Sequence, residues 1–269
     1  MLETTAQGLF FYYFRMTLQK EMLDHAVHIG SKRQYWSPKM RNYVYGVQNG
    51  VHVFDLRITE AKLEAMKSAL ADLSAKGKTV LLVGTKLQAR EALAAFAQET
   101  NNFYVDSKWV PGLLTNFPTI KKRIATYNQI EKSAAEAGFV GLTKKEISGK
   151  MKELEKLSKA YSGIKELKRV PDALFVIDGH FEQLALAEAR SLKMPTYTLM
   201  GSTGDTDHTT DFVPCNVNSV KSIKFILEYL RPALKREKKA ENPLKLDRMM
   251  PRAGDRVEEA AAVTEEMPA

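Results

Sequence analysis

A chain of 269 residues of which 44% are hydrophobic carries enough apolar material for a sizeable core, which excludes wholesale disorder. Its 40 Lys and Arg face 32 Asp and Glu, a formal net charge of +8 and a pI near 9.3, which favours a polyanionic partner, nucleic acid ahead of an acidic membrane surface. The single cysteine, Cys215, excludes an internal disulfide framework and points to a reducing compartment, and no apolar run reaches the roughly 18 residues that a membrane helix needs.

In chain order, residues 1–15 read as a loosely ordered extension. The aromatic stretch Leu9 to Phe14 is too short to span a bilayer and lacks the basic start and cleavage site of a signal peptide, so cytoplasmic residence is expected. Residues 16–116 read as the first part of an α/β domain. Leu18, Met22 and Val27 predict a short amphipathic helix over 18–27, followed by a turn-forming run from Gly30 to Pro38. Tyr43, Val44 and Tyr45 lead through Asn49-Gly50 into Val51 to Phe54, the strongest short hairpin signal, because both turn residues tolerate positive φ. Helices are then expected over 59–75 and 87–98, with strands at 79–83 and 103–105.

Residues 117–162 interrupt the alternation. Ile120, Ile124 and Tyr127 start one helix, Gly138 and Gly141 break it, and Thr143 with Glu146 forms a capping-box pattern ahead of a second. Ile147, Met151, Leu154, Leu157 and Tyr161 recur at helical spacing, which predicts an antiparallel coiled-coil hairpin. Residues 163–234 resume the α/β pattern, with strands at 173–177 and 196–200 and helices over 181–192 and 219–230, the last stopping before Pro232. Continuous apolar strands alternating with helices imply a parallel sheet covered on both faces. Residues 235–269 lose apolar pattern and read as a disordered tail. Residues 117–169 hold 13 Lys and Arg against 6 Asp and Glu, so most of the positive surplus sits in the hairpin region.

Candidate chemistry is limited. Val83-Gly84-Thr85-Lys86 follows a strand and opens a helix, yet neither a Walker loop nor a dinucleotide fingerprint is present, so no cofactor is expected. Lys86 is expected instead to reach an RNA phosphate. His25 and His28 share a helical face without a carboxylate or cysteine at ligand spacing, which favours structural histidines over a metal pair. Asp178, Asp205 and Asp207, with His180 and His208, follow the last strands, where α/β sheets bind ligands; they read as weak metal candidates beside the more ordinary reading of loop residues. Lys32, Arg33, Lys39 and Arg41 surround Tyr35 and Trp36, and Lys121, Lys122 and Arg123 open the hairpin; basic groups interleaved with aromatics suit RNA.

The chain resembles the bacterial branch of the ribosomal protein S-two family. The resemblance rests on Ala26 to Gly30, Trp36 to Met40, Asn49 to Leu56, Val83 to Lys86, Lys108-Trp109 with Gly112, Leu114 to Asn116, and the stretch from Pro171 through Glu188 to Pro195. It implies a flavodoxin-like three-layer α/β/α domain with an inserted coiled-coil hairpin. It also implies a place between head and body of the small ribosomal subunit, ribosomal RNA and neighbouring proteins including ribosomal protein S-one as partners, and no catalytic residues. Trp36, Pro38, Lys39, Trp109, Thr115 and Asn116 match family motifs and are expected to shape the RNA-facing surface, with packing the alternative for some; Lys108, beside Trp109, is expected to bind RNA. Family members usually carry glycine where Ala26 stands, aspartate at Gly201 and asparagine at Thr203. The rival readings are a metal-dependent α/β enzyme using Asp178, Asp205 and Asp207, and a coiled-coil adaptor for another protein.

Overall fold

The computed structural model of the protein describes residues 18–136 and 143–235. The stretch Leu9 to Phe14, the break at Gly138 and Gly141, and the tail from residue 236 onward lie outside the described residues.

Apolar strands that must be hidden on both sides set the architecture. Five parallel strands, β4 (Val80–Val83), β5 (Phe103–Val105), β6 (Ala173–Ile177), β7 (Thr196–Met200) and β8 (Asp211–Pro214), stand in the order β5-β4-β6-β7-β8. Counted along the chain this is 2-1-3-4-5, the order of flavodoxin-like sheets. Because successive side chains of a strand point to opposite faces, Val80, Leu82, Phe175 and Ile177 enter one core, and Leu81, Val83, Leu174 and Val176 enter the other. The first core is closed by the helix whose described part covers residues 18–24 (α1) together with α2 (Leu56–Ala75), α3 (Leu87–Thr100) and α7 (Val220–Leu234). The second is closed by α6 (Gln183–Ser191) and the base of α4 (Phe117–Glu136) and α5 (Lys144–Tyr161). No helix among the described residues is long and apolar enough to cross a membrane.

The four expected sheet strands are present, and β8 is an addition. It escaped the sequence pattern because no α-helix separates it from β7; a loop with one 3-10 turn at Thr206–His208 makes the crossover. The last helix continues through Pro232. The amide that Pro232 lacks would serve the carbonyl of Glu228, an exposed residue, while burial of Ala233 and Leu234 favours the extra turn. The capping box forms as expected: Glu146 Oε2 accepts from Thr143 N at 2.8 Å, and Thr143 Oγ1 accepts from Glu146 N at 3.5 Å. In the apolar row of α5, Leu154 and Leu157 pack on the core and Tyr161 is buried, whereas Met151, further from the sheet, is 49% exposed.

A second, antiparallel sheet is built from β1 (Ile29–Lys32), β2 (Val44–Gln48) and β3 (Val51–Phe54), in the order β1-β3-β2. Asn49 (φ 52°) and Gly50 (φ 75°) make the expected tight turn between β2 and β3. Strand β1 replaces part of the expected turn run, because Gly30 pairs alongside β3: a Cβ there would stand 3.0 Å from the carbonyl oxygen of His52. The first helix ends at residue 24 and not at Val27, since Ala26 takes a left-handed conformation (φ 56°). Asn216 holds that turn, with Nδ2 donating to the carbonyl of Ala26 at 2.9 Å and its backbone N–H to Val27 at 3.0 Å. A Cβ is disfavoured at such a φ, which is the physical reason a glycine suits the position. Ala26→Gly is expected to raise stability by about 0.5–1 kcal/mol, read as a higher urea midpoint with unchanged denaturant slope.

Candidate nucleic-acid interface

The polar ends of the strands carry the candidate residues. Lys32, Arg33, Trp36, Lys39 and Arg41 are all exposed on the segment that runs from the end of β1 into a 3-10 turn at Pro38–Tyr43. The segment is anchored from below. Met40 is fully buried with Phe54, Met200 and Phe212. The N–H of Ser37 donates to the carbonyl of Ser202 at 2.8 Å, and the N–H of Ser31 donates to Ser202 Oγ at 2.8 Å. Trp36 stacks on His52 with ring centroids 5.1 Å apart and planes inclined by 29°. His52 is buried, and neither of its ring nitrogens has a hydrogen-bond partner among the described residues. One face of the indole is therefore covered by an imidazole, and 37% of the Trp36 surface stays open. Tyr35 beside it is 64% exposed. A shelf of this kind, edged by Lys32 and Arg33, suits stacking on an unpaired base.

Lys39 differs from its neighbours. Its ammonium donates to Asp205 Oδ1 at 2.7 Å and to Asp207 Oδ2, on the loop after β7. Lys32, Arg33 and Arg41 make no ion pair among the described residues.

The second basic group follows β5, the edge strand across the sheet from β8. Lys108, Asn116, Lys121, Lys122 and Arg123 are exposed there. Trp109, expected on the same surface, is instead buried. Its indole N–H donates to Glu188 Oε1 at 3.0 Å, and the N–H of Gly112 donates to the same oxygen at 2.8 Å. The N–H of Leu114 (3.0 Å) and that of Thr115 (3.3 Å) donate to Glu188 Oε2. One carboxylate on α6 thus gathers the loop that delivers Lys108 and starts α4. Burial acts to raise the Glu188 pKa, but these four N–H donors outweigh it and hold the carboxyl below the usual range. Sequence reading passed over Glu188 as a site because its donors lie more than 70 residues away along the chain. The one signal was a family-motif tryptophan whose indole N–H requires an acceptor when buried.

Lys86 and Asp178 occupy the point where the strand order reverses, between β4 and β6, the usual ligand crevice of this sheet. They fill it with their own ion pair: Lys86 Nζ donates to Asp178 Oδ2 at 2.7 Å and also to Asn218 Oδ1, with both charged side chains largely buried. Beside it, Thr85 donates through N (2.7 Å) and Oγ1 (2.6 Å) to Glu182 Oε1, and burial of Glu182 raises its pKa. Lys86 is consequently not a surface cation. The metal candidates are separated in the same way, Asp178 to Lys86, Asp205 and Asp207 to Lys39. Among the described residues no group of three His, Cys, Asp or Glu stands close enough to hold a metal ion. His25 stacks on Phe225 at 4.8 Å, and burial lowers the pKa of His28.

The folded pKa of Glu188 lies below the ordinary Glu value of about 4.3. The stability it contributes is therefore complete above that value and is lost as pH falls through the folded one. Glu188→Gln, which turns an amide NH2 toward N–H donors, is expected to cost about 1–2 kcal/mol at pH 7, allowing for partial exposure. In urea titrations the difference from wild type should shrink toward pH 3.

The family model described as Ribosomal protein S2 aligns with residues 22–237, well over half of the chain.

Proposed function

Because the chain belongs to the ribosomal protein S2 family, whose members are structural proteins of the small ribosomal subunit, we propose that it acts as an RNA-binding scaffold and not as an enzyme. It binds ribosomal RNA between head and body, contacts neighbouring small-subunit proteins, and supports recruitment of ribosomal protein S-one, residing in the cytoplasm as part of the ribosome. The observation that carries this reading is the pairing of exposed cations with buried anchors. Lys32, Arg33, Trp36, Lys39 and Arg41 ride on Met40 and Ser202. Lys108, Asn116, Lys121, Lys122 and Arg123 ride on the loop and helix start held by Glu188. Trp109 serves this surface from beneath, by positioning the chain between Lys108 and Asn116, and Lys86 serves it by closing the sheet's crevice.

Each cation neutralises a phosphate, and release of the counterions condensed on RNA supplies affinity that falls steeply with salt. The cations are fixed in space by the fold, so recognition follows the shape of the RNA backbone more than its base sequence. At the start of α4 the same logic holds: its first turn carries no acidic residue, so the partial positive charge of the helix N-terminus adds to the field of Lys121, Lys122 and Arg123. The coiled-coil reading of α4 and α5 extends this field outward through Lys145, Lys152, Lys156 and Lys159, all exposed. An enzyme reading finds no support, since the carboxylates it needs are each spent on a lysine.

The test is sedimentation of the tagged protein in cell lysate at low and high salt. Stoichiometric migration with small subunits, lost as salt rises, is expected; migration as free protein beside intact subunits would overturn the scaffold. With purified protein and a small-subunit ribosomal RNA transcript, reversal of Lys121, Lys122 and Arg123 to Glu should lower the slope of log K against log salt by about 2, at roughly 0.7–0.9 per phosphate lost.

A further inference from the structure

Within the 32–41 segment one cation is already engaged, and the contact that engages it is separable from the fold. Lys39 Nζ meets Asp205 Oδ1 at 2.7 Å and Asp207 Oδ2, with the lysine side chain 41% exposed and the two carboxylates 47% and 59% exposed. An ion pair this open to water and salt holds weakly. Neither side needs it for its own conformation. Met40 and the Ser37–Ser202 hydrogen bond fix the backbone around Lys39. On the loop, Asp205 Oδ1 caps the Thr206–His208 turn by accepting from the N–H of Asp207 at 3.0 Å, and the N–H of Gly204 donates to the carbonyl of Gly201 at 3.0 Å. Gly204 lies so close on Met200 that a Cβ there would overlap its side chain. The loop is thus seated by its own contacts, and the two carboxylates are brought to Lys39 as fixed negative charges.

We propose that Asp205 and Asp207 act as a displaceable counter-charge for Lys39, occupying its ammonium in the free protein and yielding it to an RNA phosphate on binding. The proposal rests on the RNA-binding reading of the 32–41 segment and adds a specificity device to it. Lys32, Arg33 and Arg41 attract any polyanion. Lys39 contributes only where the RNA brings a phosphate close enough to outcompete two carboxylates, and elsewhere those carboxylates repel the backbone. The hydrogen bond from Lys39 keeps the Asp205 carboxyl below its ordinary range.

The test is a thermodynamic cycle on the full chain, with a small-subunit ribosomal RNA transcript as probe at fixed salt and magnesium. The variants are D205N/D207N, K39A and the triple combination. Asn keeps an oxygen that caps the turn, so the loop should survive, which unchanged melting temperatures will verify. D205N/D207N is expected to bind about 3- to 10-fold tighter and K39A more weakly. In the K39A background the two Asn substitutions should raise affinity by a clearly smaller factor than in the Lys39 background, since only the carboxylates' own repulsion of the RNA backbone is then removed. An equal gain in both backgrounds would overturn the proposal, because it would show general removal of negative charge and not release of Lys39. Failure of the wild-type chain to bind the transcript at any salt would overturn the RNA-binding reading itself, and this inference with it. Salt-sensitive wild-type binding that none of the variants alters would overturn this inference alone.

Discussion

Burial of β4 and β6 on both faces constrains everything else in this molecule. Every side chain of Val80–Val83 and Ala173–Ile177 is buried, and alternating residues feed two separate cores. Neither face can be left to water, so α2, α3 and α7 close one side while α6 and the base of α4 and α5 close the other. With the faces closed, polar chemistry is confined to the strand ends and the loops that leave them. The candidate interface lies there because nowhere else on the sheet can carry charge.

At those ends the fold spends several charges on itself. Lys86 and Asp178 close the crevice where sheets of this order usually take a ligand. Glu188 satisfies four N–H donors and turns a loop of irregular backbone into a fixed platform. A buried lysine or carboxylate without its partner would be costly, so each of these groups is paired within the fold. The remaining cations, Lys32, Arg33 and Arg41 on the 32–41 segment and those around the start of α4, are held over rigid supports without being neutralised by them. That division between paired interior charges and unpaired exterior ones suits the proposed scaffold for RNA. It also explains how a chain of mixed composition, with nearly as many acids as bases, presents positive surface where it matters. Lys39 sits at the border between the two classes, an exterior cation paired with two exterior carboxylates.

Much of the architecture was readable without coordinates. The apolar runs at 80–83, 173–177 and 196–200, the Asn49-Gly50 turn and the Thr143–Glu146 capping box are local patterns, in which the residues that interact are neighbours in the chain. Where the reading went astray, a distant contact overrode the local pattern. The first helix stops early because Asn216 grips the turn at Ala26 and Val27. The last helix runs through Pro232 because burial of Ala233 and Leu234 outweighs one lost amide.

The sequence by itself determined the fold class, the family motifs and the residue types at the interface, since periodicity, turn chemistry and charge are properties of short windows. Only the tertiary structure decided which charges are free. Lys86 and Lys39 look alike in the sequence, as do Trp36 and Trp109. The fold buries Lys86 against Asp178, pairs Lys39 with a loop 166 residues away, half-exposes Trp36 on His52 and buries Trp109 against Glu188. The physical reason is that a side chain's availability depends on the partner opposite it, and in a doubly wound sheet that partner arrives from a crossover far along the chain.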